Sequence, residues 1–487
     1  MRGRFCFAIQ QLVQCALLIA PYGGEWRNGC CALYSRPNRV TSPGFLVQHQ
    51  ANKMNSKQKI AILGGGYAGM AAAATLAQRG LSVTVLESAR QLGGRARGFA
   101  HQGMQLDNGQ HLLLGCYRQT LRLIELVGGE VAQDFVRLPL QLELHGQFSL
   151  KAPNLPAPLH LLLAFAQARG LSWGERLRAG RFMLRLRLAG FRVAALPGGQ
   201  ADCTVEDLLA THGQDGALTL KLWEPLCIAA LNTPIAEASA QVLLTVLRDA
   251  LTQRRADSDM LLPRLDFSAL FPQRAAEYVT QRGGTVRLSC GATAIASTAA
   301  GFAVTHAQGV ETFEQVICAT SPSVAARLLA PLMDTAAIAA LPQQPIYTVY
   351  LRYPPTVSLP APMLGLHQCL SQWLFDHGQI SGRAGLLVSV ISAEGRHQDL
   401  PQDALAEAVV AELQREFGIT ARPDWYKVIA EKRATFSCRA GLYRPPQATG
   451  VPGLWLAGDY TAGDYPATLE GAVLSGLRCA ALALGGS

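Results

Sequence analysis

A glycine-rich turn between an apolar run and an alanine-rich run constrains this chain most strongly. Residues 60–63 read Ile-Ala-Ile-Leu, and residues 64–69 read Gly-Gly-Gly-Tyr-Ala-Gly. The pattern predicts a strand, a tight turn and a helix. Gly64 suits the sharp turn, Gly66 leaves the backbone bare where a pyrophosphate approaches, and Gly69 lets the helix pack closely on the strand. The helix N-terminus then presents its partial positive charge to the phosphates.

A carboxylate follows at the distance that a bound dinucleotide requires. Residues 81–86 read as a second strand, and Glu87 ends it. A carboxylate about twenty residues after the glycines can accept hydrogen bonds from both ribose hydroxyls. We therefore predict an α/β fold with a Rossmann-like dinucleotide-binding domain that begins near Lys59. The motif alone does not separate FAD from NAD.

The turn at Gly93-Gly94-Arg95 favours FAD, because it adds bare backbone and a guanidinium for the phosphates. Near the far end, an apolar strand ends at Gly458-Asp459, and a helix of small residues begins after Pro466. These stretches resemble the superfamily of flavin-containing amine oxidases and phytoene desaturases. The resemblance implies that Asp459 binds the ribityl and phosphate region of FAD. It also implies that the helix start, with Glu470 and Gly471, lies beside the flavin ring.

The same resemblance implies that distant parts of the chain build one FAD domain of the flavin amine oxidase fold, with an α+β substrate domain interleaved. We expect FAD-binding segments at 59–130, 271–335 and 436–487, and substrate-domain segments at 131–270 and 336–435. Residues 1–58 are an expected extension, disordered or mis-started. Its apolar run vaguely imitates a secretory signal but is interrupted by glutamines, and Met54 is the more natural start.

Composition narrows the remaining classes of function. The formal net charge is +9, which suits anionic lipid, diphosphates or nucleic acid without choosing among them. The 12 cysteines are scattered without a CxxC pattern, so we expect no metal site and no disulfide framework. A reducing cytoplasm is the simplest compartment. No apolar run reaches the roughly 18 residues of a membrane span, so we expect a protein that is soluble or lies on a membrane.

Residues 159–196 combine Leu, Phe and Trp with seven arginines. At helical spacing Arg178, Arg181, Arg185 and Arg192 share one face, which is expected of a helix on anionic lipid and equally of a solvated helix. Arg187 lies opposite, so the segregation is incomplete. We expect no nucleic-acid partner, because the arginines lack interleaved stacking aromatics and a recognition module.

Three polar side chains are candidates for an acid. His111 ends the polar cluster 107–111 and either donates a proton or only bonds to the backbone. Glu224 lies in an apolar stretch, where it either pairs at the surface or enters a hydrophobic cavity with a raised pKa. Asp464 precedes the C-terminal small-residue helix. We rank them His111, Asp464, Glu224.

A narrower resemblance rests on residues 223–234, which read Trp-Glu-Pro-Leu-Cys-Ile-Ala-Ala-Leu-Asn-Thr-Pro, together with 107–111 and 457–471. These stretches look like the squalene-associated FAD-dependent desaturases, the hydroxysqualene dehydroxylase family. The resemblance spans about Lys59 to Leu482. It implies reductive removal of a hydroxyl from hydroxysqualene in hopanoid precursor synthesis. The substrate would come from the inner face of the cytoplasmic membrane or from an upstream squalene-pathway enzyme. A carotenoid or phytoene desaturase is the alternative.

Overall fold

The computed structural model describes residues 59–485, so the expected extension 1–58 lies outside the described residues. The strands of the described part are β1 (Ile60–Leu63), β2 (Val83–Leu86), β3 (Gly98–His101), β4 (Met104–Asp107), β5 (Leu113–Leu114), β6 (Phe135–Leu138), β7 (Gln141–Leu144), β8 (Phe148–Lys151), β9 (Met260–Pro263), β10 (Thr285–Arg287), β11 (Ala294–Thr298), β12 (Gly301–His306), β13 (Gly309–Phe313), β14 (Gln315–Cys318), β15 (Gln343–Arg352), β16 (Met363–Gly365), β17 (Trp373–Asp376), β18 (Leu386–Ser392), β19 (Trp425–Phe436) and β20 (Leu454–Leu456).

The α-helices of the same part are α1 (Tyr67–Gln78), α2 (Arg118–Leu126), α3 (Val131–Asp134), α4 (Leu159–Gln167), α5 (Trp173–Leu188), α6 (Val205–Thr211), α7 (Glu224–Leu231), α8 (Ala240–Leu251), α9 (Phe267–Leu270), α10 (Pro272–Gln281), α11 (Pro322–Leu329), α12 (Ala336–Ala339), α13 (His377–Ser381), α14 (Gln402–Phe417) and α15 (Leu469–Ala483). A π-helical turn, Thr219–Trp223, leads directly into α7.

A parallel sheet in the order β10-β2-β1-β14-β20 carries the predicted dinucleotide motif. Its central strand β1 is fully buried, and each buried Ile or Leu contributes about 1.5–3 kcal/mol. The strands come from three separate parts of the chain, which lie inside the predicted segments 59–130, 271–335 and 436–487. The structure thus confirms the predicted strand-turn-helix at β1–α1 and the predicted strands near β10 and β14.

A second, seven-stranded sheet in the order β19-β15-β18-β17-β16-β7-β8 builds the other half of the molecule. Its pairs are antiparallel except β16 with β7. Helix α14 packs on one face through an apolar cluster that includes Leu405, Val409 and Leu413. The strands β7 and β8 come from segment 131–270, so that segment contributes to the sheet that we expected within 336–435.

The helices α4 to α8 contribute to one large apolar core that also contains strands of both sheets. Phe182 and Leu186 of α5 and Trp223 of the π-helical turn belong to this core. Ser172 begins α5 with a capping box, in which its hydroxyl accepts from the Glu175 N–H while the Glu175 carboxylate accepts from the Ser172 N–H. Between Lys59 and Gly485, every helix is too short or too polar to serve as a membrane span.

The loop between β4 and β5, residues 108–112, lies where the two sheets meet. Tyr350 of β15 donates its hydroxyl to the carbonyl of Asp107 (2.9 Å). Asn108 donates from its side chain to Glu431 of β19 (3.2 Å). The polar cluster 107–111 is therefore attached to the second sheet by hydrogen bonds.

Candidate active site

The glycines of the first turn have three different surroundings. Gly64 has φ +106°, and a Cβ there would lie 2.6 Å from the carbonyl oxygen of Ala319. A Cβ at Gly69 would lie 2.0 Å from the Gly64 carbonyl oxygen, so Gly69 allows close packing of helix on strand. At Gly66 the nearest atom to such a Cβ is the Gly94 Cα, at 3.8 Å. Gly66 thus leaves room on the cavity side, as the pattern predicts for an approaching phosphate.

The N-terminus of α1 is free to bind an anion. Gly66 caps this helix without a side-chain hydrogen bond, and its first turn contains no acidic residue. The early N–H groups therefore keep the partial positive charge of the helix end. Gly66 and Tyr67 both line the main cavity, which has a volume of about 640 Å³.

Glu87 lies at the end of β2, where its buried carboxylate bridges two backbone turns. Its Oε2 accepts from the N–H of Gly65 (2.6 Å), and its Oε1 accepts from the N–H of Ala89 (2.7 Å). The residue also lines the main cavity. This position is compatible with the predicted contact to a ribose, which remains a prediction.

The second glycine turn lies directly beside the first. The N–H of Gly93 donates to the carbonyl of Gly65 (2.9 Å), and Gly93 and Gly94 both have positive φ, 118° and 62°. Glycine adopts both angles without the strain that a Cβ would add. Two stretches of bare backbone, at Gly66 and Gly94, therefore face the same cavity.

Arg95 joins this turn to the far end of the chain. Its guanidinium forms an ion pair with Asp459, whose residue is 5% exposed. It also donates to the carbonyl of Ala434 at the end of β19 (2.6 Å). Arg444 donates in turn to the Asp459 carbonyl (2.6 Å). Arg95 and Asp459 both line the cavity, and their contacts to FAD remain predictions.

His111 lines the same cavity. Its ring meets the Phe267 ring edge-on, with centroids 5.1 Å apart, and its Nε2 has no hydrogen-bond partner. Burial, with a smaller effect from the Arg95 charge, lowers the pKa of His111 to about 4. The imidazole is therefore neutral at neutral pH.

The other two acid candidates lie away from the main cavity. Asp464 is exposed and lines a separate cleft of about 260 Å³. Glu224 is half-buried in the first turn of α7, and burial raises its pKa. Neither residue lines the main cavity. The geometry therefore favours His111 among the three.

Glu470 and Gly471 also lie outside the lining of the main cavity. The buried Glu470 carboxylate accepts from the N–H groups of Gln119 (3.0 Å) and Thr120 (2.9 Å), which lie in the first turn of α2 and have no partner within the helix. Gly471 lines the separate cleft with Asp464. The residues of the α15 start that do line the cavity are Ala467, Thr468, Leu469 and Ala472.

The sequence analysis gave no individual role to several polar residues of the cavity wall. Glu431 lines the cavity and accepts from Asn108. Gln110 lines it as well, and its Oε1 accepts from the Nε2 of His377 (2.9 Å). Asn232, which ends α7 in the left-handed conformation, donates to Thr435 (2.9 Å). Asn232 lies in the stretch 223–234, on which the family resemblance rests, whereas no local sequence pattern indicates Glu431.

The rest of the cavity is apolar and is built by both halves of the substrate region. The wall includes Leu142, Leu150, Phe165, Met183, Trp373 and Phe375. These side chains come from β7, β8, α4, α5 and β17. A long hydrocarbon fits such a wall, because apolar surface on both partners leaves water together.

The donor set fits FAD. Bare backbone at Gly66 and Gly94, a free helix N-terminus, the Glu87 carboxylate and the Arg95–Asp459 pair line one continuous cavity. Within the part of the chain that the structure describes, no group of three or more His, Cys, Asp or Glu side chains is arranged to hold a metal ion.

Comparisons with known proteins agree with this site. Residues 67–484 match the family "Flavin containing amine oxidoreductase". A hydroxysqualene dehydroxylase of Rhodopseudomonas palustris is 32% identical over 87% of this chain and 97% of its own length. Another, from Sinorhizobium fredii, is 30% identical over 88% and 98%. A solved triple mutant of putrescine oxidase has a TM-score of 0.66 at 18% identity, covering 88% of this chain and 99% of that one.

The fold and the site define an FAD-dependent oxidoreductase. The chain belongs to the family of flavin-containing amine oxidoreductases, and the predicted resemblance to the hydroxysqualene dehydroxylases within it is confirmed. The predictions of the fold class and of FAD are confirmed with it.

Proposed function

We propose that this enzyme reductively dehydroxylates hydroxysqualene to squalene, a step in hopanoid precursor synthesis. The observation that carries the proposal is one cavity whose polar end has the FAD donor set and whose remaining wall is apolar. The bacterial relatives named for this reaction support the same substrate.

The reaction needs a proton, a hydride and a dry site. Protonation of the hydroxyl lets it leave as water when the C–O bond breaks, and the carbon becomes an allylic cation. Bound FAD in its reduced form supplies the hydride that converts this cation to the hydrocarbon. Side chains such as Trp373 and Phe375 exclude water, which would otherwise recapture the cation.

His111 is the proton-handling residue in this proposal, because it alone of the three sequence candidates lines the cavity. Its unpartnered Nε2 can hydrogen-bond to a hydroxyl. The pKa of about 4 makes the protonated ring a strong acid that is present in a small fraction at neutral pH. Glu431 also lies on the cavity wall, and a carboxylate in such a wall stabilises a positive charge that develops in the cavity.

A membrane-facing surface extends this proposal to how the substrate is collected. On α5, Trp173, Leu177, Leu184 and Leu188 recur at helical spacing and form one stripe; Trp173 is 53% and Leu188 77% exposed. Arginines flank the stripe on both sides: Arg181 and Arg185 on one, Arg176 and Arg187 on the other. Arg187, which appeared misplaced in the sequence, therefore completes a basic border around an apolar stripe.

Helix α5 and the preceding helix α4 also contribute side chains to the wall of the cavity. Leu161 and Phe165 of α4 and Met183 of α5 line it, while Leu159 of α4 is 47% exposed. An apolar stripe with a basic border is the pattern of a helix lying in the interface of an anionic bilayer. We propose that a triterpene passes from the bilayer between these helices to the cavity. Transfer from an upstream enzyme of the squalene pathway is the alternative.

The test of the reaction is product analysis under anaerobic conditions. Enzyme with chemically reduced FAD is incubated with hydroxysqualene, and enzyme with oxidised FAD is incubated with phytoene. We expect squalene from the first mixture and no desaturated product from the second. Desaturated phytoene without squalene would favour the carotenoid desaturase alternative.

A further inference from the structure

Two buried polar atoms without hydrogen-bond partners lie around the same small space at Gly109. These atoms are His111 Nε2 and Thr348 Oγ1. A Cβ built on Gly109 would lie 3.7 Å from His111 Nε2 and 3.8 Å from Thr348 Oγ1, and apart from the two adjacent residues no other described atom lies within 4 Å of it. Gly109 and His111 both line the cavity, so the space opens to the bound substrate.

The chemistry of the two atoms defines what fits between them. A neutral imidazole nitrogen and a hydroxyl oxygen can between them offer both a donor and an acceptor. Thr348 is 1% exposed, so its hydroxyl cannot reach bulk water. Buried polar atoms are normally paired, and two that remain unpaired around one space indicate a small neutral group that donates and accepts. An alcohol hydroxyl and a water molecule have this chemistry.

The walls of the space are held in place by the fold. Thr348 lies within β15, between Val390 of β18 and Ile429 of β19. Tyr350 lies two residues further along this strand and therefore on the same face. Its hydroxyl donates a hydrogen bond to the carbonyl of Asp107. The loop that carries Gly109 is thus attached to the strand that carries Thr348.

A second anchor holds the loop on its other side. The Nε2 of His377 donates to Gln110 Oε1, and Ser381 lies 3.2 Å from the other ring nitrogen. Asn108 is held by Glu431. The residues before and after Gly109 are therefore both attached to neighbouring strands or helices, which restrains the loop in its present position.

We propose that the space at Gly109 is a hydroxyl-binding site, in which His111 Nε2 and Thr348 Oγ1 hold the alcohol of the substrate. Thr348 is then a specificity-determining residue that distinguishes the alcohol from the hydrocarbon product. The proposal rests on the proposed function, because it identifies the alcohol with the hydroxyl that leaves.

The experiment compares the binding of hydroxysqualene and squalene to holoenzyme with oxidised FAD, which cannot complete the reaction. Binding in detergent is followed by the change in flavin absorbance. We expect wild type to bind the alcohol about 3- to 10-fold more tightly than the hydrocarbon, as for one or two hydrogen bonds. Thr348→Val and Gly109→Ala should abolish this preference and leave squalene affinity unchanged.

The variants contain their own controls. Thr348→Ser keeps the hydroxyl and should keep the preference. In Gly109→Ala the added methyl makes only ordinary contacts and fills the space, so FAD content and Tm should stay near the wild-type values. Loss of the preference with retained FAD would support the site.

Three results would overturn the proposal. In the first, the preference for the alcohol persists in both Thr348→Val and Gly109→Ala. In the second, the affinities for both ligands fall equally, which would indicate that an ordered water occupies the space. If wild type converts hydroxysqualene to squalene in either of these cases, the hydroxyl site fails and the proposed function stands. If wild type shows neither conversion nor preference, both fail together.

Discussion

Arg95 and Asp459, 364 residues apart in the chain, form a hydrogen-bonded ion pair at the wall of the main cavity. Arg95 reaches the end of β19 with its other nitrogen, where it donates to Ala434. One guanidinium thus joins the second glycine turn, the end of the parallel sheet and the edge strand of the second sheet. The two sheets meet at this residue, so these contacts form only when both sheets are folded.

Gly66 and Gly69 should respond differently to the same added methyl group. In Gly66→Ala the Cβ has room, so the apoprotein should keep its Tm while FAD affinity falls by about 100-fold, because the methyl occupies the phosphate approach. In Gly69→Ala the Cβ would lie 2.0 Å from a backbone oxygen, which should cost about 3 kcal/mol or more of stability. FAD titration and thermal unfolding of both variants test this contrast, and equal loss of stability would contradict it.

Replacement of His111 should affect turnover far more than replacement of the other two acid candidates. His111→Asn should lower kcat by about 100- to 10,000-fold, the range for loss of a general acid, with FAD content retained. Asp464→Asn and Glu224→Gln serve as matched controls, because both residues lie outside the cavity lining. The kcat of both control variants should stay within about 3-fold of the wild-type value. A large loss of kcat in either control variant, with little loss in His111→Asn, would assign the general acid to the residue replaced in that control.

Anionic vesicles should bind the enzyme through α5. Each arginine near such a surface contributes about 1 kcal/mol, so the double variant Arg181→Gln, Arg185→Gln should partition about 30-fold more weakly. The double variant Arg415→Gln, Arg422→Gln changes the charge equally at a different surface and should bind as wild type. Sedimentation with phosphatidylglycerol vesicles measures both. Unchanged sedimentation of the α5 variant would remove the proposed contact.

His377 should make the folded protein less stable as the pH falls. Burial, with a smaller effect from Arg383, lowers the pKa of His377 to about 4 from its ordinary value near 6.5. Between these values the unfolded chain binds a proton that the folded chain does not, so stability declines as the pH drops from 6.5 to 4. Urea unfolding should show a smaller decline in His377→Gln than in wild type. Identical pH profiles would contradict this assignment.

The FAD half could be predicted because its signals are local in sequence. The three glycines, the strand that follows and Glu87 lie within about thirty residues, and each has a separate steric or hydrogen-bonding reason. The sequence assigned Arg95 and Asp459 separate contacts to FAD and did not predict their ion pair, since no local pattern brings two such distant residues together.

The rest of the candidate site could not be predicted from the sequence, because it depends on contacts that the chain makes only when it is folded. Glu470 looked like a cofactor residue, but its carboxylate accepts from the start of α2, 350 residues away in sequence. Thr348 and Glu431 are ordinary strand residues, and only the placement of the 108–112 loop on β15 and β19 makes them part of the site. The joining of β7 to β16 is likewise a long-range pairing without a local signal.

A single-turnover experiment tests the proposed dehydroxylation itself. Holoenzyme with fully reduced FAD is mixed anaerobically with excess hydroxysqualene, and flavin reoxidation and squalene are measured in the same sample. We expect one squalene formed for each flavin oxidised, and neither squalene nor oxidised flavin in the absence of the alcohol. If the flavin stays reduced in the presence of hydroxysqualene and no squalene forms, the enzyme does not carry out this reaction.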